Sequence, residues 1–348
     1  MAVTSNPSNT MLIGAYSDKG KRPNQEDRFL VTEFLTSDGV TATLALVADG
    51  IGGREHGELA SGIVQTTIPE YLERTQPSID EISDSLVKAF VEANRRIYEK
   101  SLAATNNAAM GTTCTAIVIA EHRLFLAHVG DSRAYLLRNG ELFQLTIDHN
   151  WGEEALQSGR HPDEIRNHPN RGVLKRFLGI NSYVDVDTRC KLSDTDSNPV
   201  DCGEQPFVLD VSDSILLNTD GVSDVLDEKK MEKILNRHQA PDAARQLVTA
   251  ALRSGASDNV TAVVLDMPEA HERAADFDRL ILPVWAWMVI GILIVLLFII
   301  ALAYAINMDS PHFGYNSKII GVKATGLVVD HSYIPFHSHS LPGGNNYD

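Results

Sequence analysis

The sequence predicts an α+β domain, with sheets sandwiched between helices, followed by one transmembrane helix. Three observations carry this. Short runs of β-branched and aliphatic residues recur through the first 267 residues. Helical periodicities stand among them without strict strand–helix–strand alternation. Finally, no charge falls between Leu280 and Met308, and Val284–Ile306 is almost wholly apolar.

The strand expectations are Thr41–Val47, Thr113–Ala120, Leu124–His128, Ser132–Leu137 and Asn259–Leu265. Asn139-Gly140 between Ala134–Arg138 and Glu141–Leu145 is a strong hairpin signal, because both residues tolerate the positive φ of a two-residue turn. Leu59, Ile63, Thr67 and Tyr71 form one helical stripe; Ile82, Leu86, Phe90, Ala93 and Ile97 form a second. Two later helices fit Ser223–Asn236 and Pro241–Arg253, the second with proline near its start. At about 1.5 Å per residue, Val284–Ile306 reaches about 35 Å, enough to cross a hydrocarbon core. Trp285, Trp287 and Tyr304 flank it like an aromatic belt. The expected organisation is a domain at 1–267, a polar linker at 268–282, a membrane helix at 283–306 and a short tail at 307–348.

Composition removes several classes. The chain has 348 residues, of which 43% are hydrophobic and 22% charged, a globular balance. Its 30 Lys+Arg against 46 Asp+Glu give a net charge of -16, which argues against nucleic acid as a partner. Cys114, Cys190 and Cys202 form no C-x-x-C, so neither a disulfide framework nor a zinc site is expected. The first residues, MAVTSNPSNT, lack the basic and apolar regions of a signal peptide. Asp194–Asn198 begins like a calcium loop, but Pro199 stands at the turn position and Gln205 at the closing one.

Chemistry gathers at acidic residues that end apolar runs. Asp49 follows TLALVA and precedes Gly50, Asp131 follows LFLAHVG, Asp220 follows ILLNT, and Asp258 precedes a final strand. A carboxylate at the end of a buried strand is costly unless a cation compensates it. Four of them suggest one centre, and oxygen ligands without a Cys/His cluster favour Mg²⁺ or Mn²⁺. Taken singly, each aspartate could equally cap a helix or close a turn.

As an ordered set these residues go further. Ser17-Asp18-Lys19-Gly20 runs through Arg22 to Asn24-Gln25-Glu26-Asp27; Ala48-Asp49-Gly50-Ile51-Gly52-Gly53 follows. Then come Gly111-Thr112-Thr113, Val129-Gly130-Asp131-Ser132-Arg133, Thr219-Asp220-Gly221-Val222-Ser223-Asp224 and Ser257-Asp258-Asn259-Val260-Thr261. The sequence resembles the bacterial type of the PP2C (PPM) protein serine/threonine phosphatases over about residues 11–266. The resemblance implies a β-sandwich flanked by helix pairs and hydrolysis of phosphoserine and phosphothreonine by a hydroxide bridging two Mn²⁺ or Mg²⁺ ions. It further implies that Asp49 bridges the metals, that the Gly50 carbonyl serves one, and that Asp220 and Asp258 complete the other. Glu26 and Asp27 would hold metal-bound waters, and Asp131 with Asp220 would form a third site. Arg22 sits where some members bind phosphate, although a surface pairing with a carboxylate is its bland alternative.

Two features depart from or add to the pattern. Animal members place a histidine, proposed as general acid, where this chain has Ile51, and isoleucine transfers no proton. Residues 149–181 resemble the flap of bacterial members and carry Arg166, His168, Arg171, Lys175 and Arg176 without an intervening acid. That island, Arg171 included, could receive an acidic phosphopeptide or be a solvated face. Phosphoproteins, the substrates of a serine/threonine kinase, are the implied partners, with membrane lipid around 283–306. The implied location is the cell membrane, domain in the cytoplasm and tail outside. A non-catalytic PP2C-like regulator that binds metal or phosphoprotein at the membrane is the alternative.

Overall fold

Alternation along the strands decides the architecture. In Thr41–Ala48 (β3), Leu44 and Leu46 face one way while Ala45 and Val47 face the other, and all four are fully buried. A strand buried on both faces must lie between two layers. The computed structural model describes residues 11–52, 55–103, 110–190 and 206–268, with Leu296 and Leu297. The chain divides into two units, Met1–Ile281 and Leu282–Asp348, and the elements named below belong to the first.

Two antiparallel five-stranded sheets form the middle. The first has the order β1 (Leu12–Asp18), β12 (Val260–Asp266), β11 (Ser214–Asn218), β8 (Arg133–Arg138), β9 (Glu141–Gln144). The second runs β10 (Phe207–Val208), β7 (Arg123–Val129), β6 (Cys114–Ala120), β3, β2 (Arg28–Leu35). A two-stranded ladder joins β4 (Gly50–Ile51) to β5 (Gly111–Thr112). Ala45, Val47, Ile117, Leu126, Leu136, Leu217 and Val263 fill the space between the large sheets. The β8–β9 hairpin turns at Asn139 and Gly140, both at positive φ as the Asn-Gly signal requires.

Helices cover the outer faces. Helices α1 (Glu55–Thr75) and α2 (Ile82–Ala103) pack on β3, β6 and β7. Helices α6 (Glu228–Leu235) and α7 (Ala240–Arg253) pack on the other sheet through Met231, Ala244, Leu247, Val248 and Ala251. The second predicted stripe, Ile82 to Ile97, is buried throughout. The first is centred one residue further on: Ala60, Val64, Ile68 and Leu72 are buried, and so is Thr67 of the predicted stripe, whereas Leu59 is exposed and Ile63 and Tyr71 are at the rim. Small Ala60 and Ser61 allow the close approach, and the Ser61 hydroxyl donates to the Glu26 carbonyl at 2.6 Å.

The predicted helix 223–236 is two pieces, a turn at α5 (Asp220–Ser223) and then α6. Asp227 restarts it as an N-cap, accepting from the Lys230 N–H at 2.8 Å. Two short helices, α3 (Trp151–Gln157) and α4 (Pro162–Arg166), build the predicted flap segment. Cys114 and Cys190 are buried, and Cys114 is a free thiol. The Asp194–Asn198 loop, the linker, the tail and all of the apolar run except Leu296 and Leu297 lie outside the described residues. Among the described residues, no helix is long and apolar enough to cross a membrane.

Candidate active site

Strand ends from both sheets meet at one edge of the sandwich. Strand β3 delivers Asp49, whose backbone is clamped: its N–H donates to Thr113 Oγ1 at 3.0 Å, and its carbonyl accepts from the Thr113 N–H at 2.9 Å and Thr112 Oγ1 at 2.8 Å. Gly50 follows and donates to the Glu26 carbonyl at 3.2 Å. A side chain at Gly50 would lie 2.2 Å from the Gly57 carbonyl, so only glycine lets α1 close on this loop. Asp131 follows β7, Asp220 opens α5 after β11, and Asp27 and Asp258 precede β2 and β12.

The five predicted aspartates are neighbours, and each influences the ionisation of others. Burial raises the Asp49 pKa well above the ordinary range, and the charges of Asp220, Asp27, Asp131 and Asp258 add to it. Asp131 is pushed up to about 8 by burial and by Asp220, Asp148 and Asp224, with Arg133 opposing. Asp220 and Asp27 are raised for the same reasons, first burial and then like charges. Glu26 is raised mainly by burial, partly offset by Arg22.

Three oxygens show what the cluster lacks. Asp27 Oδ2 accepts from Thr261 at 2.6 Å and Thr219 at 2.8 Å, but its Oδ1 is buried without a donor. Asp131 Oδ1 and Asp220 Oδ1 are likewise buried and unsatisfied among the described residues. Leaving such an oxygen unpaired costs about 1–3 kcal/mol, more if charged. Hard oxygen donors, mutual repulsion and orphaned lone pairs fit a divalent cation. Among the described residues, no three acidic, His or Cys side chains yet form a single-ion cage. Asp258 is instead paired with Arg22 at 2.5 Å.

That pairing is the outcome the sequence reading gave as the bland one for Arg22, whose side chain is 56% exposed on the rim. The basic island of the flap does not assemble. Arg166 pairs with Asp163, Lys175 with Glu154 and Arg176 with Asp185, while His168 stacks on Trp151 at 3.9 Å. The acids flank the run, from three to 21 residues away, so a run without acids is not a patch without them. Arg171 alone of the five lines a cavity of about 500 Å³ that also touches Asp131, Asp220, Asp224 and Arg133.

Sequence reasoning passed over two residues as site members. Asp224 lies four residues after Asp220 and lines the same cavity, a spacing that one helical turn brings to one side. Asn259 ties the Arg22 loop down: its amide donates to the Lys19 and Asn24 carbonyls at 2.9 Å each and accepts from the Glu26 N–H at 2.7 Å. Both stand inside the quoted motifs, so the signal was present but read as flanking sequence.

A two-sheet α+β domain with an oxygen-only acidic centre at its strand ends has the donor chemistry of a protein that works with hard divalent cations. The family model for protein phosphatase 2C matches residues 14–254. A serine/threonine phosphatase, Stp, of Listeria monocytogenes serotype 4b is 33% identical over 72% of this chain and 93% of its own length. Among solved structures, the Mycobacterium tuberculosis serine/threonine phosphatase PstP superposes with a TM-score of 0.60 at 31% identity, covering 74% of this chain and 98% of that one. The PstP catalytic domain solved with two manganese ions gives 0.57 at 32% identity, covering 74% and 97%. The chain therefore belongs to the protein phosphatase 2C family, the metal-dependent serine/threonine protein phosphatases.

Proposed function

We propose that this chain removes phosphate from phosphoserine and phosphothreonine in proteins, with a pair of Mn²⁺ or Mg²⁺ ions held by Asp49, the Gly50 carbonyl, Asp220 and Asp258. Glu26 and Asp27 would hold metal-bound waters, and Asp131 with Asp220 would offer a further position. The observation that supports this best is the set of buried, unsatisfied oxygens on Asp27, Asp131 and Asp220. When bound, the ions supply Lewis acidity that neutralises phosphoryl charge and acidifies water.

The chain's own residues supply the rest. Arg22, on the exposed rim, gives Nη2 to Asp258 and would offer its remaining N–H donors to phosphoryl oxygens. Asn259 holds the Arg22 loop, and Thr112 and Thr113 hold Asp49, so these groups need little reorganisation as charge develops. Arg171 faces the neighbouring cavity, where the flanking peptide would lie. Ile51 is engaged in the β4–β5 ladder opposite Gly111 and has no proton to give, so leaving-group protonation falls to water or another side chain.

The run Val284–Ile306 supports a single membrane span after a linker at 268–282. Cytosolic phosphoproteins, made by a serine/threonine kinase, then require the domain inside and the tail outside. A reporter fused after Asp348 should be active only outside the cytoplasm; activity inside would reverse the topology. For the reaction, the full chain should release phosphate from phosphothreonine peptides with Mn²⁺ and release none in excess EDTA. Undiminished turnover in EDTA would refute the metal-dependent reading.

A further inference from the structure

Outside the acidic centre, one buried side chain joins three segments and has no part in the reaction described so far. His149 begins the flap segment, and it grips Gly130 on both sides. Its backbone N–H donates to the Gly130 carbonyl at 2.7 Å, and its Nδ1 accepts from the Gly130 N–H at 3.0 Å. Gly130 immediately precedes Asp131. It sits at φ +121°, and a Cβ there would lie 2.5 Å from the Thr113 side chain. The turn is thus wedged between Thr113, which holds Asp49, and His149.

The ring's far side is equally specified. Because Nδ1 accepts a hydrogen bond, the proton of the neutral ring is on Nε2, which points to Asp187 Oδ2 at 3.3 Å. Asp187 is buried and fixed by Arg189, whose Nε and Nη2 donate at 2.9 and 2.6 Å. Burial opposes its ionisation, but the hydrogen bonds from Arg189 and His149 outweigh this and keep it a carboxylate. Asp187 also pairs through its backbone with His128, in both directions, at 2.8 and 3.0 Å. The His128 ring packs on His149 with centroids 4.6 Å apart. Arg176 Nη1 stands 3.4 Å from His149 Nε2 and is itself paired with Asp185. Finally, the His149 carbonyl accepts from the Lys175 N–H at 2.8 Å, closing the base of the flap.

We propose that His149, oriented by Asp187, is a positioning residue that fixes the Gly130–Asp131 turn and ties the base of the flap to the acidic centre. The Asp–His pair here holds a backbone amide in place; it does not face a reacting atom. A ligand-bearing turn held in this way loses about 10–100-fold in metal affinity when its outer partner is removed. The inference rests on Asp131 being a cation ligand, and its test separates the two claims.

Three variants of the full chain discriminate. His149→Ala removes both ring contacts, to Gly130 and to Asp187, His149→Asn keeps an acceptor where Nδ1 stood, and His149→Gln keeps a donor toward Asp187 but no side-chain acceptor for Gly130. Mn²⁺ binding is measured by calorimetry, and exchange of the Gly130 amide by hydrogen exchange with mass spectrometry or NMR. The Ala and Gln variants should exchange Gly130 faster and weaken the Asp131-dependent Mn²⁺ step by about tenfold or more. The Asn variant should stay within about threefold of the unchanged chain in both. Equal behaviour of Asn and Gln, or an unaltered Gly130 amide in both, overturns the proposal. Should the Ala variant not fold, the Asn–Gln contrast decides alone. If the unchanged chain shows no Mn²⁺ binding, the cation reading of Asp131 falls, while Gly130 exchange still judges the histidine.

Discussion

Asp213 and Asp131 are both buried aspartates beside sheet strands, yet their surroundings are opposite. Asp213 is fully buried, and its carboxylate takes three contacts from Arg138, at 3.0, 3.2 and 2.5 Å, and one from the Asp210 N–H at 2.8 Å. Asp131 keeps an unsatisfied Oδ1 and is surrounded by Asp49, Asp220, Asp148 and Asp224. The first arrangement is complete in itself and holds β8 against the start of β11. The second leaves a hard oxygen donor unpaired among like charges, an arrangement that a divalent cation would satisfy. Buried acid alone does not mark function; buried acid left unsatisfied by its own chain does.

Substitution at the centre should hurt activity far more than stability. Asp49→Asn should lower phosphopeptide turnover by more than about 100-fold, the upper end of what even a supporting residue of a metal site costs. In EDTA the same variant should melt no lower than the unchanged chain, since it removes a repelling charge. A large drop in melting temperature would mean that Asp49 is structural.

The opposite pattern is expected at the complete site. Arg138→Met strands Asp213, and breaking a buried pair from one side costs about 3–5 kcal/mol. Denaturant titration should show that loss, while kcat at low temperature stays near that of the unchanged chain. Unchanged stability would remove the contrast between the two sites.

Acidity offers a third way to sharpen it. Asp131 has a folded pKa of about 8 against an ordinary 3.8, so the folded state binds the extra proton between those values. Stability contributed by that proton is fully present below about pH 4 and is lost as pH rises toward 8. Asp49, Asp27 and Asp220 are raised too and act in the same direction. In EDTA, melting temperature should therefore fall across pH 4–8, and Mn²⁺ should restore it most at the alkaline end. A flat profile without metal would contradict the repulsion.

The smallest effect is expected at Ile51. Ile51→His should change alkyl phosphate turnover by more than that of p-nitrophenyl phosphate, whose leaving group needs little protonation. Its pH profile should gain a limb near about 6.5, the unperturbed imidazole value. Equal responses at every pH, with Mn²⁺ affinity retained, would leave position 51 without an acid role.

Much of this was legible because strands and turns are local. The Asn139-Gly140 hairpin and the aspartates at the ends of apolar runs depend on a few adjacent residues, and both are found where expected. What failed was tertiary. Which face of α1 is buried turned on Ala60 and Ser61, whose small size matters only once Glu26 and Gly50 approach. The flap's basic residues pair with acids just outside the run, Asp163, Glu154 and Asp185, which counting within the run leaves out. Asn259 and His149 act through partners about 240 and 19 residues away, which no local window reveals, whereas Asp224 lies one helical turn from Asp220 and was readable.

The strand order also sets a timetable. Strand β12 lies between β1 and β11, pairing Leu12 with Asp266 and Ser214 with Asp266 in the same register. At about 5–20 residues per second, a ribosome needs roughly 12–50 s between making the first of these partners and the last. Through that interval β1 has neither neighbour nor sheet, and Asp258 and Asn259 have not been made. A chain ended before β12 would lack Asp258, a proposed cation ligand, and Asn259, which ties down the Arg22 loop. Such a truncated chain is therefore expected to release no phosphate from phosphothreonine peptides, whereas the completed domain should.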